Sequence, residues 1–373
     1  MREMKVGILP APEFPEKMVR RLAEILPNAF KDYIDDTVDW NIEIKADPIT
    51  GAAETADEIT EKAEREIQAS NFDYVISVTD LPIFSKKDVV LASSNLNKKV
   101  SQISLPAFGF KPMRKRLKDT IIQMMKDLYN GKSNSMEEKE DGVFSQSKHK
   151  ISRLLSPIRR KMTEKSEDTI FQYYVMPRLN GKLRILMGMV HANRPLKIFS
   201  SFKKVIAIAF ATGAYGLIFP SLWNLSVVYE PARYIILMFT AIGSMVLWII
   251  LVHNLWEKPS FWNKRKIRRM YNATTIITLS VAVVFYYIIL FVLFFLSVRL
   301  LIPEQLFSSQ SVLKEKVTLE NYIHLTWLVT SFATLGGAIG AGLEDDELVS
   351  KATYSYRQHK RYEESKQETD QVS

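Results

Sequence analysis

Thr79 and Asp80 close the apolar run Tyr74-Val-Ile-Ser-Val78. A hydroxyl and a carboxylate at the end of an inner strand stand where α/β sheets place their ligands, so these two residues are the candidate ligand-binding pair. The competing reading makes Asp80 a turn or cap residue. The chain offers little else for catalysis. Cysteine is absent and histidine numbers 5, which excludes disulfides, thiolate metal sites and cysteine nucleophiles. Neither a Gly-x-Gly-x-x-Gly string nor a Gly-x-x-x-x-Gly-Lys-Ser/Thr phosphate loop occurs. His253 and His324 fall at opposite ends of apolar segments, too far apart to share an ion. No catalytic residue, metal or cofactor is therefore assigned.

The elements that must position Thr79 and Asp80 come from hydropathy periodicity. Lys5–Leu9 reads as a strand, Glu16–Phe30 as a helix, and Val38–Lys45 as a half-buried strand with apolar residues alternating. Thr55–Ala69 is a charged helix, and Phe72–Val78 a mostly apolar strand suited to the interior of a parallel sheet. Asp88–Ser94 and Lys99–Leu105 form a hairpin or two adjacent strands, and Met113–Tyr129 a basic amphipathic helix. The order β-α-β-α-β-β-β-α predicts an α/β or α+β domain over 1–130 with a mixed, partly parallel sheet. Residues 131–150 are polar and charged enough to be a linker. In the basic juxtamembrane segment 151–203, Ile151–Lys165 has a helical pattern, Thr169–Met176 strand character, and Pro177–Phe199 the pattern of an amphipathic helix lying in a membrane interface.

The stretch Tyr74-Val-Ile-Ser-Val-Thr-Asp-Leu81, the strand Val100–Leu105 and the long helix after it resemble the core of the archaemetzincin-type metalloproteases over about residues 4–130. In that family the long helix carries a His-Glu-x-x-His zinc motif. Here it reads Arg116-Leu-Lys-Asp-Thr-Ile-Ile-Gln-Met-Met-Lys126, and residues 1–130 contain no histidine. The resemblance thus implies a metal-free relative, a metzincin-like pseudoenzyme domain reused for binding. The Gly188-Met-Val-His-Ala-Asn-Arg-Pro195 string and the later Gly342-Leu-Glu344 run resemble uncharacterised bacterial four-span membrane proteins of similar layout, which implies an architecture and no activity.

Crossing a hydrocarbon core of about 30 Å takes about 20 apolar residues in a helix. Four segments within 204–343 suffice: about 205–223, 232–255, 274–302 and 322–343. They predict an all-α four-helix transmembrane bundle, followed by a charged tail over 344–373. The net charge of +9 comes from 50 Lys+Arg against 41 Asp+Glu. The cations concentrate beside the spans: Arg194, Lys197, Lys203 and Lys204 before the first, Lys264, Arg265, Lys266, Arg268 and Arg269 before the third. That asymmetry places both termini in the cytoplasm of a multi-pass cell-membrane protein, and explains the basic balance without nucleic acid. The same Lys264–Arg269 cluster faces anionic lipid head groups, which with the bilayer are the first partners expected. Glu344, Asp345, Asp346 and Glu347 form an acidic interface cluster that either pairs with it or holds a divalent cation. Gly336 and Gly340 make a small-xxx-small step, read as packing inside the bundle or as the face of a homo-oligomer.

Together these features predict a membrane-anchored scaffold or sensor. Its cytosolic domain binds an unknown protein or small molecule and carries out no catalysis. The alternative is a small channel or permease gated by that domain, for which Thr275, Thr278, Ser280, Thr330, Ser331 and Thr334 supply hydroxyls.

Overall fold

A computed structural model describes residues 2–52, 55–85, 88–110, 113–131, 158–165, 168–176, 178–199, 202–257, 265–312, 316–341, 350, 353–354, 356–358 and 360–363. The chain divides into two compact units, Met1–Ala192 with Ser355–Ser373, and Asn193–Tyr354. The first unit therefore extends past the boundary at 130 that the sequence suggested.

Its sheet has β1 (Arg2–Pro10), β2 (Val38–Ile44), β3 (Tyr74–Thr79), β4 (Ile83–Ser85), β5 (Asp88–Asn95), β6 (Val100–Ser104), β7 (Ile158–Lys165) and β8 (Asp168–Val175). The order is β2-β1-β3-β6-β5-β8-β7, with β4 pairing with β5. β2, β1, β3 and β6 are parallel neighbours. The β5, β8 and β7 pairings are antiparallel. The sheet is thus mixed and partly parallel, as its patterning predicts. Val75, Ile76 and Val78 of β3 are all buried, which is what a strand covered on both faces requires.

Helices α1 (Phe14–Arg20), α2 (Leu26–Tyr33), α3 (Pro48–Ala52), α4 (Ala56–Ser70) and α5 (Met113–Asn130) connect and cover the strands. The single helix expected over Glu16–Phe30 is two, because Pro27 opens α2 as an N-terminal proline. Thr55 caps α4, its hydroxyl accepting from the Glu58 N–H. The helix expected over Ile151–Lys165 is corrected: residues 158–165 are strand β7. Its partner β8 alternates, burying Thr169, Phe171, Tyr173 and Val175, while β7 is an edge strand whose Arg159 and Lys161 deter further pairing. Asp127 of α5 anchors this hairpin by accepting from the Tyr173 hydroxyl at 2.7 Å and from Arg160 at 3.3 Å. α6 (Arg178–Ala192) buries Ile185 and Met189, and Gly188 lets it approach the Pro106 backbone so closely that a Cβ would lie 2.8 Å from Pro106 Cα. Leu183 and Met187, on the same helix, are exposed.

The second unit is helical: α7 (Pro195–Phe199), α8 (Lys203–Gly216), α9 (Pro220–Val228), α10 (Pro231–Val252), α11 (Arg265–Leu301), α12 (Glu304–Gln310) and α13 (Leu319–Ala341). Among the described residues α10, α11 and α13 are each long and apolar enough to cross a membrane. The first expected span, 205–223, is not one straight helix. α8 and α9 meet at 89° and count as a fourth span only if that bent pair is one. Pro220 supplies no donor and disfavours helical geometry at the residue before it, and Phe219 is accordingly extended at φ −89°, ψ 117°. The Leu217 carbonyl at the break accepts from the Trp223 indole N–H at 2.9 Å, so the bend leaves it satisfied.

Candidate functional site

The carboxyl ends of β1, β2 and β3 meet at a topological switch point. The chain leaves β1 for β2 on one side, then crosses back to β3 on the other, so the two crossovers depart in opposite directions. Such a divergence opens a crevice beyond the strand ends, where open parallel sheets bind ligands. Pro12 follows β1, Gly51 lies in α3 after β2, and Asp80 follows β3.

Local hydrogen bonds fix these loops. The Ala11 N–H donates to the Val78 carbonyl at 2.8 Å, tying the exit of β1 to β3. The Asp47 N–H donates to the Pro10 carbonyl at 3.0 Å. The Asp47 carboxylate then accepts from the Thr50 N–H at 2.9 Å and the Thr50 hydroxyl at 2.7 Å, which sets α3 in place. Thr79 is fully buried, and its hydroxyl oxygen accepts from the Leu81 N–H at 3.1 Å. Ser104 donates to the Leu81 carbonyl at 2.7 Å, holding the turn that carries Asp80.

Asp80 is 1 % exposed and makes a two-pronged ion pair with Arg361, itself 5 % exposed. Nη1 donates to Oδ1 at 2.8 Å and Nη2 to Oδ2 at 3.2 Å, the fork-to-fork geometry that only a guanidinium provides. The same guanidinium donates to the Gly51 carbonyl at 3.2 Å and the Pro12 carbonyl at 3.1 Å. One turn earlier, the Gln358 amide donates to the Ala52 carbonyl at 2.9 Å. The crevice therefore presents a carboxylate and main-chain carbonyls, all acceptors, to a segment that arrives from the far end of the chain. Residues 356–358 and 360–363 of that segment are helical. Burial alone would push the Asp80 carboxyl up; the charges of Arg361 and Arg357 and the bond from Arg361 outweigh it and hold the carboxyl below the usual range.

Gly51 is fitted to this arrangement. A Cβ there would run into Arg361 Nη1 and lie 2.9 Å from the Ala11 Cβ. On the sheet face that carries Thr79, Ser77 sits beside Gln102, and Gln102 beside Ser93. Gln102 Nε2 donates to the Ser93 hydroxyl at 2.9 Å. Ser77 Oγ and Gln102 Oε1 are buried and have no hydrogen-bond partner among the described residues.

The structure places the other expected site residues as follows. Arg265, Lys266, Arg268 and Arg269 form the opening turns of α11 rather than a loop, with Arg269 exposed, and Lys264 lies outside the described residues. The acidic cluster Glu344, Asp345, Asp346 and Glu347 also lies outside them. Gly336 and Gly340 face α8: Cβ atoms there would lie 3.0 Å from Thr212 Cγ2 and 2.9 Å from Ile208 Cδ1. The hydroxyls of Thr275, Thr330, Ser331 and Thr334 donate to the carbonyls of Tyr271, Thr326, Trp327 and Thr330, each four residues back on the same helix. Thr278 instead accepts from the Asn193 amide at 3.0 Å.

Reading along the sequence finds Asp80 and misses Arg361, which lies 281 residues away. The signal was present but weak. Arg357 and Arg361 stand one helical turn apart in a tail whose charge marked it as solvated, and both are buried. Hydropathy periodicity registers an apolar stripe; a stripe of buried guanidinium groups looks like a polar surface.

Compared with protein families, curated proteins and solved structures, the chain has no match in any of the three.

Proposed function

We propose that the protein is a multi-pass cell-membrane protein, both termini cytoplasmic, whose α/β unit acts as a non-catalytic binding or regulatory domain: a membrane-anchored scaffold or sensor. One observation carries this reading. The crevice at the strand ends, where α/β folds take ligands, is engaged by the segment that follows the last apolar helix. A ligand at Asp80 and the tail would compete for the same acceptors, and the tail is continuous in sequence with α13. The reading takes residues 4–130 as a zinc-free relative of the archaemetzincin-type core put to binding use. It takes the Lys264–Arg269 cluster as the contact for anionic head groups, and the exposed Leu183 and Met187 of α6 as apolar residues available to the interface.

The test uses the full chain in lipid nanodiscs. A panel of small metabolites and peptides is screened by thermal shift against the wild type and Asp80→Asn. The reading expects at least one compound whose shift depends on Asp80. Topology is read from single cysteines introduced at Glu3 and Glu363 of this cysteine-free chain, which should react with an impermeant thiol reagent only after the cells are opened. Labelling of intact cells at either position overturns the orientation.

A second reading, a gated channel, is favoured by the 89° break between α8 and α9, because interrupted helices are tolerated in membranes where they line a cavity or are covered by protein. Solute flux into vesicles holding the purified protein, with no Asp80-dependent ligand in the screen, would decide for it.

A further inference from the structure

We propose that the crevice at the ends of β1, β2 and β3 is a guanidinium-recognition site, with Arg361 as its resident intramolecular ligand and an arginine side chain or small guanidino compound as its external one. The inference deepens the binding-domain reading above and rests on it. Its ground is the chemistry of the convergent groups. Asp80 offers both carboxylate oxygens, and Pro12 and Gly51 offer main-chain carbonyls. None of these groups can donate, so the site selects a ligand that only donates. A guanidinium has five N–H donors in one plane and no acceptor, whereas an ammonium is a compact point charge that cannot bridge two carboxylate oxygens and two separated carbonyls together. The charges of Asp80 and its occupant cancel, as a buried site requires. The seat is also shaped for a flat group, since at Gly51 even a methyl would collide with the guanidinium edge.

Arg361 lies in a helical segment far along the chain from Asp80, and the Gln358 amide beside it donates to the Ala52 carbonyl. An internal ligand is exchangeable by mass action against an external one of the same chemistry.

The experiment uses the full-length protein in nanodiscs and reads the rate of cleavage after Glu363 by a glutamate-specific protease. Probes are methylguanidine, methylammonium, a peptide copying residues 353–362, and the same peptide with its last arginine replaced by lysine. Methylguanidine and the arginine peptide should speed cleavage several-fold, and their controls should not. The relative strengths of those two probes tell a small guanidino ligand from a polypeptide one. In Arg361→Ala, whose seat is vacated, methylguanidine should bind directly by calorimetry; in Arg361→Ala/Asp80→Asn binding should fall by roughly tenfold or more. Gly51→Ala keeps every charge but closes the seat: it should release the tail and bind neither probe. Equal response to ammonium and guanidinium, or cleavage indifferent to both in the unmodified protein, overturns the proposal. Either of those results leaves the parent reading standing. That reading fails separately, by labelling of Glu363→Cys in intact cells.

Discussion

Asp80 and Arg361 together form a group that is neutral as a pair and costly when halved. Removing Arg361 while the crevice stays closed leaves a carboxylate 1 % exposed without its two-pronged partner, and breaking a buried pair in this way costs about 3–5 kcal/mol. Replacing both residues by alanine should cost less than the sum of the single changes, with a coupling of about 0.5–3 kcal/mol in a double-mutant cycle read from urea unfolding. Additive effects would show that the tail is not seated in solution. The pH dependence follows from the direction of the Asp80 shift. Its carboxyl ionises more readily in the fold than at the unfolded value of 3.8, so the pair stabilises fully above that value. The contribution fades as pH falls through the lower, folded value. This contribution to the stability read from urea unfolding should therefore be flat from pH 8 to about 5 as far as this group is concerned, and fall only below about 4. A loss that begins near pH 6 would point to a different titrating group.

Helix α6 and the break after α8 each depend on a single residue. Gly188→Ala drives a methyl into the Pro106 backbone, which has no side-chain freedom with which to yield, and should cost about 1–3 kcal/mol by overpacking. A thermal melt of the full chain checks this; an unchanged midpoint would mean α6 is not docked there. Trp223→Phe keeps a ring but removes the donor to the Leu217 carbonyl, and should cost about 0.5–1.5 kcal/mol for the lost part-buried hydrogen bond. What could be read along the sequence separates at this scale. β3 is legible because both its faces are covered and it is accordingly a run of apolar residues. β7 is not, because an edge strand shows solvent cations where an inner strand shows valine, and its basic residues also fit a helical period. The bend at Pro220 was legible in principle, since a proline after Gly216 interrupts an otherwise uniform span, but hydropathy averages over it. In the candidate site, Asp80 is marked along the sequence by its place at a strand end, beside a competing turn or cap reading, and Arg361 has meaning only once the sheet brings distant segments together.

At the scale of the molecule, the cations that open α11 oppose the helix dipole, which favours negative charge at an N-terminus. Each such cation costs about 0.3–1 kcal/mol at an exposed site, a cost that the proposed orientation in a bilayer would offset. Replacing Arg268 and Arg269 by glutamine should slightly stabilise the first turns of α11 in detergent by relieving the dipole, while weakening the sidedness seen by thiol labelling. The first compact unit joins residues 1–192 to 355–373, and the three long apolar helices found among the described residues are encoded between those stretches. A ribosome thus delivers the strand carrying Asp80 long before the arginine that completes it. Until residue 361 is made, Asp80 has no Arg361 to pair with. Products truncated before residue 361 therefore lack the two-pronged ion pair and differ chemically from chains that carry it.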